Sequence, residues 1–462
     1  MADYETLRQQ QVALFSGMIP SHLQRLRWTA GQLHAERERR LRELLRVAIE
    51  RSPWHRRRLG SVDPDRFEER DLRQLPTMTK DDLMSHWDDI VTDRRLTLDI
   101  AERHLAGLTS DAYLFDEFHV VASGGSTGTR GVYVYGWEPW AVACAGFLRT
   151  NLWDRAVSPE LASAPNTIAM VAARHATHMT SAIGETFSNP ATQMFPFPIS
   201  LPIEEIVSGL NAVQPVTVLA YASALGILAR EARAGRLRIR PLRIVSTSEP
   251  LRPEVRQAVE EIFEAPVANI YGTSEAGPMA IGCWRSAGLH LSDDLVIVEP
   301  VDRGGKPVGA GVRSDKICLT SIANPTLPLI RFEMTDQVEL LEGPCPCGSA
   351  HRLIADVDGR MDDVFEYAGA VMVHPHVFRS VLCREREIVE YQIQQTADGA
   401  DILVIGAPID PRAMERGICG ELQRLGIRNP SVSVRTVDRL ERQRTGKLRR
   451  FVPVSARDAS PA

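Results

Sequence analysis

A run of glycine and hydroxyl residues is the part of the sequence best suited to binding a phosphate chain. It follows a β-rich segment and reads Ser123, Gly124, Gly125, Ser126, Thr127, Gly128, Thr129, Arg130 and Gly131. Backbone amides that no side chain covers can approach anionic oxygens closely, and hydroxyl groups add further donors. The run contains no lysine, so it is not a Walker A loop, which needs Gly-Lys-Ser/Thr. It predicts a phosphate-binding loop, with an ordinary flexible turn as the alternative.

Two later segments carry groups that suit a nucleotide. The first ends a predicted strand, and the ligands of parallel sheets bind outside the carboxyl ends of strands. There Tyr271, followed by Gly272, can stack on a base, the Thr273 hydroxyl can meet a phosphate, and the Glu275 carboxylate can hold Mg²⁺. In the second segment Asp336 follows another short strand and can accept hydrogen bonds from two ribose hydroxyls. By itself such a turn is common.

Two more segments lie towards the C-terminus. One contains Arg360 and Asp362 and separates two regions of different pattern. The other, Arg442 to Lys447, places a glycine beside a lysine, which predicts a mobile loop that presents a cation. A lone lysine on a loop is more commonly an inert surface group, and that is the alternative here.

Three cysteines and a histidine are of the residue types that a structural Zn²⁺ prefers. Cys345 and Cys347 form a Cys-x-Cys pair, and Cys283 with His290 completes a Cys3His set. His351 is a rival fourth ligand. Free thiols are the alternative to a metal site, and a metal there would hold the fold together without performing chemistry.

Length and composition indicate which class of protein carries these groups. The chain has 462 residues, of which 44% are hydrophobic and 24% charged. These values predict a folded protein of two or three units and exclude a disordered or collagen-like chain. The net charge of -5 provides no basic field for nucleic acid or an anionic membrane surface. Small molecules are the expected partners.

The ends and the apolar runs indicate where such a chain works. No apolar run approaches the roughly 20 residues of a membrane span. Met1 to Gln11 is polar and charged and lacks the layout of a signal peptide, which indicates the cytoplasm. In that compartment we expect reduced thiols or metal ligands rather than disulfides.

The apolar pattern predicts an α/β fold with a largely parallel sheet. A helical lead-in comes first, and Thr79 is a predicted helix N-cap. Strands that alternate with helices follow at His119–Ala122, Val132–Tyr135, Thr167–Ala172, Val216–Ala220, Ile244–Thr247 and Val267–Tyr271, and shorter strands at Leu295–Glu299, Asp315–Thr320 and Gln337–Leu341. We expect an N-terminal domain over residues 1–360, divided into a helical lead-in (1–117), an α/β core (118–290) and a β-rich subdomain (291–360). A small mobile α+β domain would cover residues 361–462.

Taken in order and at these separations, the five segments resemble the adenylate-forming superfamily of acyl-CoA synthetases, adenylation domains and luciferases. Three further segments look like the phenylacetate-CoA ligase branch, namely Ser52-Pro53-Trp54, Leu75 to Lys80 and Gly343 to Gly348. The resemblance covers essentially the whole chain. Some relatives in this branch carry zinc in the region of the cysteines.

The resemblance implies a role for each matching position. The loop Ser123 to Gly128 would embrace the β- and γ-phosphates of ATP, and Lys447 would be the lysine that the C-terminal domain brings to the site for adenylation. The remaining roles follow the same pattern: Tyr271 on adenine, Thr273 at the α-phosphate, Glu275 on Mg²⁺, Asp336 at the ribose hydroxyls, Arg360 at the same end of the nucleotide, and Asp362 as the hinge.

The sequence also departs from the family pattern. Gly124 replaces a common serine or threonine, and Arg130-Gly131 stands where proline and lysine are usual. Relatives commonly have glycine or alanine before the Glu-Pro pair, whereas this chain has Ser248 before Glu249. That segment often lines the acyl pocket, so the resemblance suggests an unusual substrate. The C-terminal lysine motif has Glu441 and Gln443 in place of the usual residues.

The acyl pocket is the least defined feature of the sequence. The family resemblance places its walls at His175, His178, Tyr221, Ala222, Ser248 and Glu249, together with Phe195, Phe197 and Ser223. His175 or His178 could bond a substituent of an aryl acid, with helix-capping or surface histidines as the alternative. Only the family resemblance favours an aromatic acid.

These observations together predict an ATP- and Mg²⁺-dependent ligase that adenylates an aryl acid and transfers it to coenzyme A. One alternative keeps the adenylation and changes the acceptor or the acid: an amine, a carrier-protein thiol, or nitrite activated for transfer to an arylamine. Another is a non-catalytic nucleotide-binding module. Relatives are often homodimers, and only that analogy suggests a homodimer here.

Overall fold

A computed structural model gives the fold of the chain. It describes residues 3–123, 131–172, 177–187, 192–199, 201, 203–283, 285, 288–355, 357, 365–369, 371–373, 375–382, 388–406, 409–442 and 448–454. The predicted domain boundary near Arg360 to Asp362 lies outside these ranges, and the predicted domain limits remain predictions.

The helices occupy three stretches of the described chain. The N-terminal part has α1 (Tyr4–Arg25), α2 (Ala30–Arg51), α3 (Pro53–Leu59), α4 (Lys80–Ser85), α5 (Trp87–Ile90) and α6 (Leu98–Gly107), with a 3₁₀ turn at Glu69–Gln74. The middle part has α7 (Trp137–Val157), α8 (Pro159–Ser163), α9 (Met179–Thr186), α10 (Ile203–Val213), α11 (Ala222–Arg233) and α12 (Pro253–Phe263). The C-terminal part has α13 (Pro375–Leu382) and α14 (Pro411–Arg424).

The strands begin with a short antiparallel hairpin that precedes the main sheet. They are β1 (His119–Ala122), β2 (Val132–Tyr135), β3 (Thr167–Ala172), β4 (Gln193–Pro198), β5 (Thr217–Tyr221), β6 (Arg243–Thr247), β7 (Val267–Thr273), β8 (Gly277–Gly282), β9 (Leu289–Leu291), β10 (Val296–Val301), β11 (Lys316–Ser321), β12 (Phe332–Met334), β13 (Leu353–Ile354), β14 (Phe365–Tyr367), β15 (Val371–Val373), β16 (Ile388–Gln395), β17 (Gly399–Gly406), β18 (Ser431–Thr436) and β19 (Phe451–Val452).

An eight-stranded sheet forms the centre of the molecule. Its order is β13-β9-β8-β7-β6-β5-β3-β4. The pairs from β4 to β7 are parallel, and the pairs from β7 to β13 are antiparallel. The predicted α/β class with a largely parallel sheet is therefore confirmed. The antiparallel edge was not predicted.

Helices cover both faces of the parallel part, which explains why its strands are apolar on both sides. On one face, residues of β3 and β5 such as Val171 and Ala220 pack against Leu210 of α10, Leu228 of α11 and Val259 of α12. The other face is turned towards α1, α7 and α9, whose side chains line a cavity with it.

The structure confirms the apolar repeat of the helical lead-in. Leu41, Leu44, Leu45 and Ala48 of α2 are buried, and they pack against the β-rich part at residues such as Ile297. The three-stranded sheet β10-β11-β12 forms that part. Thr79 caps α4 as predicted, because its hydroxyl accepts the Asp82 amide while the Asp82 carboxylate accepts the Thr79 amide.

The C-terminal elements form a four-stranded sheet of order β18-β17-β16-β19 with α13 and α14 on it. Phe365, Phe378, Tyr391 and Phe451 meet in an aromatic core. This unit lies against α11 and the start of α12, where the Arg252 guanidinium stands 4.1 Å from the centre of the Tyr391 ring.

Two strand predictions need correction. The predicted strand Gln337–Leu341 is wrong: within the described chain, only isolated bridges from Glu339 and Leu340 occur there. The sequence analysis also missed β4, because the prolines at its residues 196 and 198 are poor strand formers. β4 is an edge strand, where proline is tolerated. As for membrane spans, the described helices include none with the length and apolar character to cross a bilayer.

Candidate active site

The ends of β6 and β7 bring the predicted nucleotide residues to one edge of the sheet. Thr247 and Ile270 are register partners in this parallel pair, so the residues after them lie side by side. Thr273 ends β7 and is buried, and its hydroxyl accepts the Ala276 amide at 3.3 Å. Glu275 lies in the same tight turn.

Tyrosines of the β1–β2 hairpin hold that turn. The Tyr133 hydroxyl donates to Glu275 Oε1 at 2.7 Å, and the Tyr135 hydroxyl donates to the Ser274 carbonyl at 2.9 Å. Burial raises the pKa of Tyr135, so its phenol stays protonated and remains a donor. The hairpin that carries the glycine-rich run is thereby joined directly to the turn that carries Glu275.

The predicted adenine and ribose residues contact each other. The Tyr271 hydroxyl donates to Asp336 Oδ2 at 2.9 Å, and Asp336 is almost fully buried. Gly272 is required beside them, since a Cβ there would lie 2.7 Å from Cε1 of Phe147. The strand irregularity between Tyr271 and Gly272 falls at the same point.

Ser123 and Gly131, the two ends of the glycine-rich run, are hydrogen-bonded to each other, and we call this pair the stem of the run. The Ser123 amide donates to the Gly131 carbonyl at 2.9 Å, and the Gly131 amide donates to Ser123 Oγ at 2.9 Å. Lys80 Nζ lies 3.3 Å from the same hydroxyl. The loop between them includes Gly124, Gly125, Ser126, Thr127 and Gly128, which lie outside the described residues.

Lys80 is a cation that the sequence analysis did not single out. It reaches the stem because the preceding segment is fastened to β12: Met78 bridges Phe332, and the Thr77 hydroxyl donates to Glu333 at 2.7 Å. Arg331 donates to the Leu75 carbonyl at 2.6 Å and adds to this attachment. The nearest sequence signal was the resemblance of Leu75 to Lys80 to the phenylacetate-CoA ligase branch.

Glu249 lies between α11 and the C-terminal unit. Its Oε2 accepts the Ser223 amide at 2.8 Å in the first turn of α11, where a carboxylate is favoured by the helix dipole. Its Oε1 accepts the Leu448 amide at 3.4 Å. Arg442 donates to both oxygens of buried Glu390, at 2.8 and 3.0 Å, and approaches Ser223 Oγ at 3.4 Å.

Arg442 and Leu448 thus flank Lys447 in the sequence and both contact this part of the N-terminal elements. Lys447 itself lies outside the described residues, as do Arg360, Asp362 and His175. Roles assigned to these four residues remain predictions.

Several of the other predicted pocket residues lie at helix starts, whereas Phe195 and Phe197 lie in the edge strand β4. Tyr221 and His178 occupy the N-cap positions of α11 and α9, and Ala222 is the buried first residue of α11. Ser248 has a φ of 65°, in the left-handed region that glycine adopts more readily.

A cavity of about 420 Å³ lies between the sheet and helices α1, α7 and α9. Its walls are side chains to which the sequence analysis assigned no role. They alternate along the strands, as expected for one face of a sheet: Ile168 and Met170 from β3, Thr217 and Leu219 from β5, Arg243, Val245 and Thr247 from β6, and Ile270 from β7. The end of the cavity that Thr247 and Ile270 line is the end beside Tyr271.

The predicted zinc ligands converge at the antiparallel edge of the sheet. Cys283 follows β8, His290 lies in the neighbouring β9, and Cys345 and Cys347 lie in the loop before β13, which pairs with β9. The four ligand atoms all lie within 4.8 Å of one another. Cys283 Sγ is 3.6 Å from Cys345 Sγ, and Cys347 Sγ is 3.3 Å from His290 Nε2.

These distances fit a tetrahedral zinc. Zn–S and Zn–N bonds of ordinary length place two sulfurs about 3.8 Å apart and a sulfur and a nitrogen about 3.6 Å apart. His290 Nδ1 lies 3.2 Å from the His351 carbonyl, a partner that leaves Nε2 deprotonated and available to a metal. His351 instead contacts the backbone of Leu291 and Arg25, which argues against it as the fourth ligand.

The state of the cysteines agrees with the expectation of reduced thiols. The cysteines in the described part of the chain are all free. Burial raises the pKa of the Cys283 thiol to about 12 and that of Cys347 above its usual value, so these thiols are protonated when no metal is bound.

Comparisons with known proteins agree with this geometry. No protein-family model matches the chain. A phenylacetate-coenzyme A ligase of Thermus thermophilus is 28% identical over 393 residues, which are 81% of this chain and 81% of that protein. A phenylacetate-coenzyme A ligase of Pseudomonas putida is 28% identical over 160 residues, which are 33% of this chain and 35% of that protein.

A solved structure has the same fold over nearly the whole chain. The 2-hydroxyisobutyryl-CoA ligase in the postadenylation state, in complex with R3-HIB-AMP, superposes with a TM-score of 0.72 at 19% identity, covering 94% of this chain and 92% of that one. The resemblance inferred from the five segments is therefore confirmed. The chain is similar in sequence to phenylacetate-coenzyme A ligases and has the fold of an acyl-CoA ligase.

Proposed function

We propose that this protein is an AMP-forming acid–CoA ligase that activates an aryl acid. A carboxylate oxygen attacks the α-phosphorus of ATP, pyrophosphate leaves, and an acyl-adenylate remains. The thiol of coenzyme A then attacks the acyl carbon and AMP leaves. The observation that carries the proposal is the Tyr271–Asp336 hydrogen bond beside the turn of Thr273 and Glu275, at the carboxyl ends of parallel strands.

The nucleotide residues act through position and charge. Tyr271 stacks on adenine while its hydroxyl orients Asp336 towards the ribose. Thr273 contacts the α-phosphate, and Arg360 supports the same end of the nucleotide. Glu275, braced by Tyr133, would hold Mg²⁺, which neutralises charge on the phosphates when bound. The Ser123 to Gly128 loop embraces the β- and γ-phosphates, and Lys80 at its stem adds positive charge.

The acid enters the cavity that ends at Thr247 and Ile270. Its walls are predominantly apolar, as an aryl group requires, and its end lies beside the adenine residue. His178, Tyr221, Ala222 and Ser248 belong to the loops and helix starts around that end. The family resemblance alone assigns His175 to the acid pocket. The support for an aryl acid rather than another apolar acid is the likeness to phenylacetate-CoA ligases.

Lys447 stabilises the negative charge that grows on the oxygens during adenylation. Support comes from its neighbours, because Leu448 is bonded to Glu249 and Arg442 approaches Ser223, both close to the end of β6. Asp362 is the hinge about which the C-terminal domain turns between the two half-reactions. A lid of this kind protects the reactive adenylate from water.

The Cys283, His290, Cys345 and Cys347 cluster binds a structural zinc ion in this proposal. Supporting it are the separations of the four ligand atoms and the contact of His290 Nδ1 with the His351 carbonyl, which leaves the Nε2 lone pair for a metal. The metal would fasten the loop before β13 to β8 and β9 without taking part in the reaction.

Substrate-dependent ATP/pyrophosphate exchange tests the function. The panel contains substituted benzoic, phenylacetic and cinnamic acids and nitrite, and each assay is repeated with Lys447→Ala. We expect one aryl acid to drive exchange, and the variant to lose about two to three decades of it. Addition of CoA, then of a carrier protein or an amine, identifies the acceptor. Exchange with nitrite alone would reject the carboxylate ligase, and AMP binding without any exchange would favour a non-catalytic nucleotide-binding module.

A further inference from the structure

The cavity beside the nucleotide residues has a polar far end. Arg243, Thr217 and Asn166 lie at the amino ends of their strands or just before them, and their side chains line the cavity there. Thr192 lies beside them, where its hydroxyl accepts from Asn166 Nδ2 at 2.7 Å. The walls between this end and Thr247 are apolar. A polar group at the bottom of an apolar cavity is a costly arrangement that calls for a partner.

Arg243 is the charged group at that end. It is 6% exposed, and its Nη1 lies 2.6 Å from Asp154 Oδ2 of α7. Burial lowers the pKa of Arg243 and raises that of Asp154, so each charge depends on the other. Asp154 lines a neighbouring cavity and does not line the main one. A molecule in the main cavity therefore meets the guanidinium, whose charge is already neutralised from behind.

The length of the cavity limits the molecules that fill it. Arg243 and Thr247 face the same side of β6 and are four residues apart, about 13 Å along an extended strand. Phenylacetic and benzoic acids are too short to place the carboxyl group at the Thr247 end and also reach Arg243. A cinnamic acid with a para substituent has the required reach.

The nature of the polar end decides which substituent fits. A guanidinium donates hydrogen bonds and accepts none, so it pairs with an oxygen acceptor. Because Asp154 already balances its charge, a neutral oxygen suits it better than a second carboxylate, which would bring an unpaired negative charge into an apolar cavity.

Resting on the proposed adenylation, we infer that the substrate is an extended aryl acid of cinnamate length with a neutral oxygen substituent at the para position, which Arg243 binds at the far end of the cavity. Arg243 is then a specificity-determining residue. The Arg243–Asp154 pair selects among acids, and the nucleotide residues perform activation without regard to the para group.

ATP/pyrophosphate exchange with matched acids tests this inference. The acids are 4-hydroxycinnamic, 4-methoxycinnamic, 4-methylcinnamic and cinnamic acid, with benzoic acid as the short reference. For the wild-type protein we expect kcat/KM with the 4-hydroxy or 4-methoxy acid to exceed that with the 4-methyl acid, which has similar shape but no oxygen, by at least about tenfold. Equal values for the oxygenated and methyl acids would overturn the inference.

The double variant Arg243→Met/Asp154→Leu removes both charges together and so avoids leaving one buried charge unpaired. We expect the ratio of oxygenated to methyl acid to fall to about one in this variant. Arg240→Met, at an exposed arginine just before β6, is the matched control and should keep the wild-type ratio. An unchanged ratio in the double variant would contradict the role of Arg243.

Val245→Phe tests the cavity independently, since Val245 lies midway between Arg243 and Thr247. The larger ring should lower exchange with the cinnamic acids relative to benzoic acid by about tenfold or more. If both acids respond alike, the acid does not occupy this cavity. Exchange with short acids only would overturn the inference while the ligase function stands, whereas absence of exchange with every acid would reject the proposed function itself.

Discussion

Glu249 should act as a positioning residue for adenylation. Its two carboxylate oxygens join the first turn of α11 to Leu448, the residue after Lys447. If Lys447 is the catalytic lysine, loss of this junction reduces the fraction of molecules in which the C-terminal unit is docked for adenylation. The variant Glu249→Gln keeps the shape and removes the charge.

The size of the effect follows from the two hydrogen bonds. A glutamine side chain has one oxygen, so it can accept one of the two amides and must present its own NH₂ group to the other. The Ser223 bond is short and the Leu448 bond is long at 3.4 Å, so we expect the amide oxygen to keep Ser223 and the Leu448 contact to be lost. A charge-assisted bond of that length contributes about 1 kcal/mol, which corresponds to roughly a fivefold change in the docked population.

The assay separates the two half-reactions. ATP/pyrophosphate exchange should fall about fivefold in Glu249→Gln, and formation of thioester from chemically prepared acyl-adenylate and CoA should change less than about twofold. Glu261→Gln, at an exposed position of α12, is the matched control. Equal losses in both half-reactions would indicate general damage and refute the positioning role. Unchanged exchange with intact folding would refute it as well.

Three further predictions concern stability and the metal. Ser248→Gly should raise the free energy of unfolding by about 1 kcal/mol in denaturant titration, because glycine adopts the φ of 65° without strain; a loss of stability would contradict this. Cys345→Ser should lower bound zinc, measured by elemental analysis, from about one ion per chain to near zero and lower the melting temperature, whereas the matched Cys419→Ser, outside the cluster, should change neither. Burial lowers the pKa of His55 to about 4, so this neutral side chain takes up a proton more readily in the unfolded chain, and stability should be lost as the pH falls from about 6.5 towards 4, by about 2 kcal/mol at pH 5. His55→Gln should remove that part of the acid sensitivity, and an identical pH profile would exclude His55 as its source.

The sequence analysis located the strands that form short apolar runs, and it missed strands that depend on their pairing partners. The bounds of β1, β2 and β3 agree with the expected ranges, since each is a short, strongly apolar run. The antiparallel strand β8 was missed because it contains two glycines and a proline, and β9 because it has only three residues; β8 is ordered by pairing with β7 and β9 by pairing with β8. The 337–341 segment has strand-like composition but little pairing in the described chain.

The candidate site also contains some residues that the sequence predicted and others that it did not. Tyr271, Asp336 and the cysteine cluster were predicted from residue type and position, and the structure brings each set together. Other contacts at the site join residues far apart in sequence. Lys80 approaches Ser123 across 43 residues, Tyr133 bonds Glu275 across 142, and Glu249 bonds Leu448 across 199. No local pattern carries such contacts. They depend on how β12, the β1–β2 hairpin and the C-terminal unit pack.

The close approach of Phe147 to Gly272 links acid size to nucleotide binding. The Phe147 ring lines the cavity and also occupies the space that a side chain at position 272 would need, next to Tyr271. Under the proposed function, a change of acid preference that acts through this ring would also shift the support of the adenine base. Laboratory evolution towards bulkier acids should therefore accumulate substitutions at other wall positions, such as Leu219 or Ile168, before it alters Phe147.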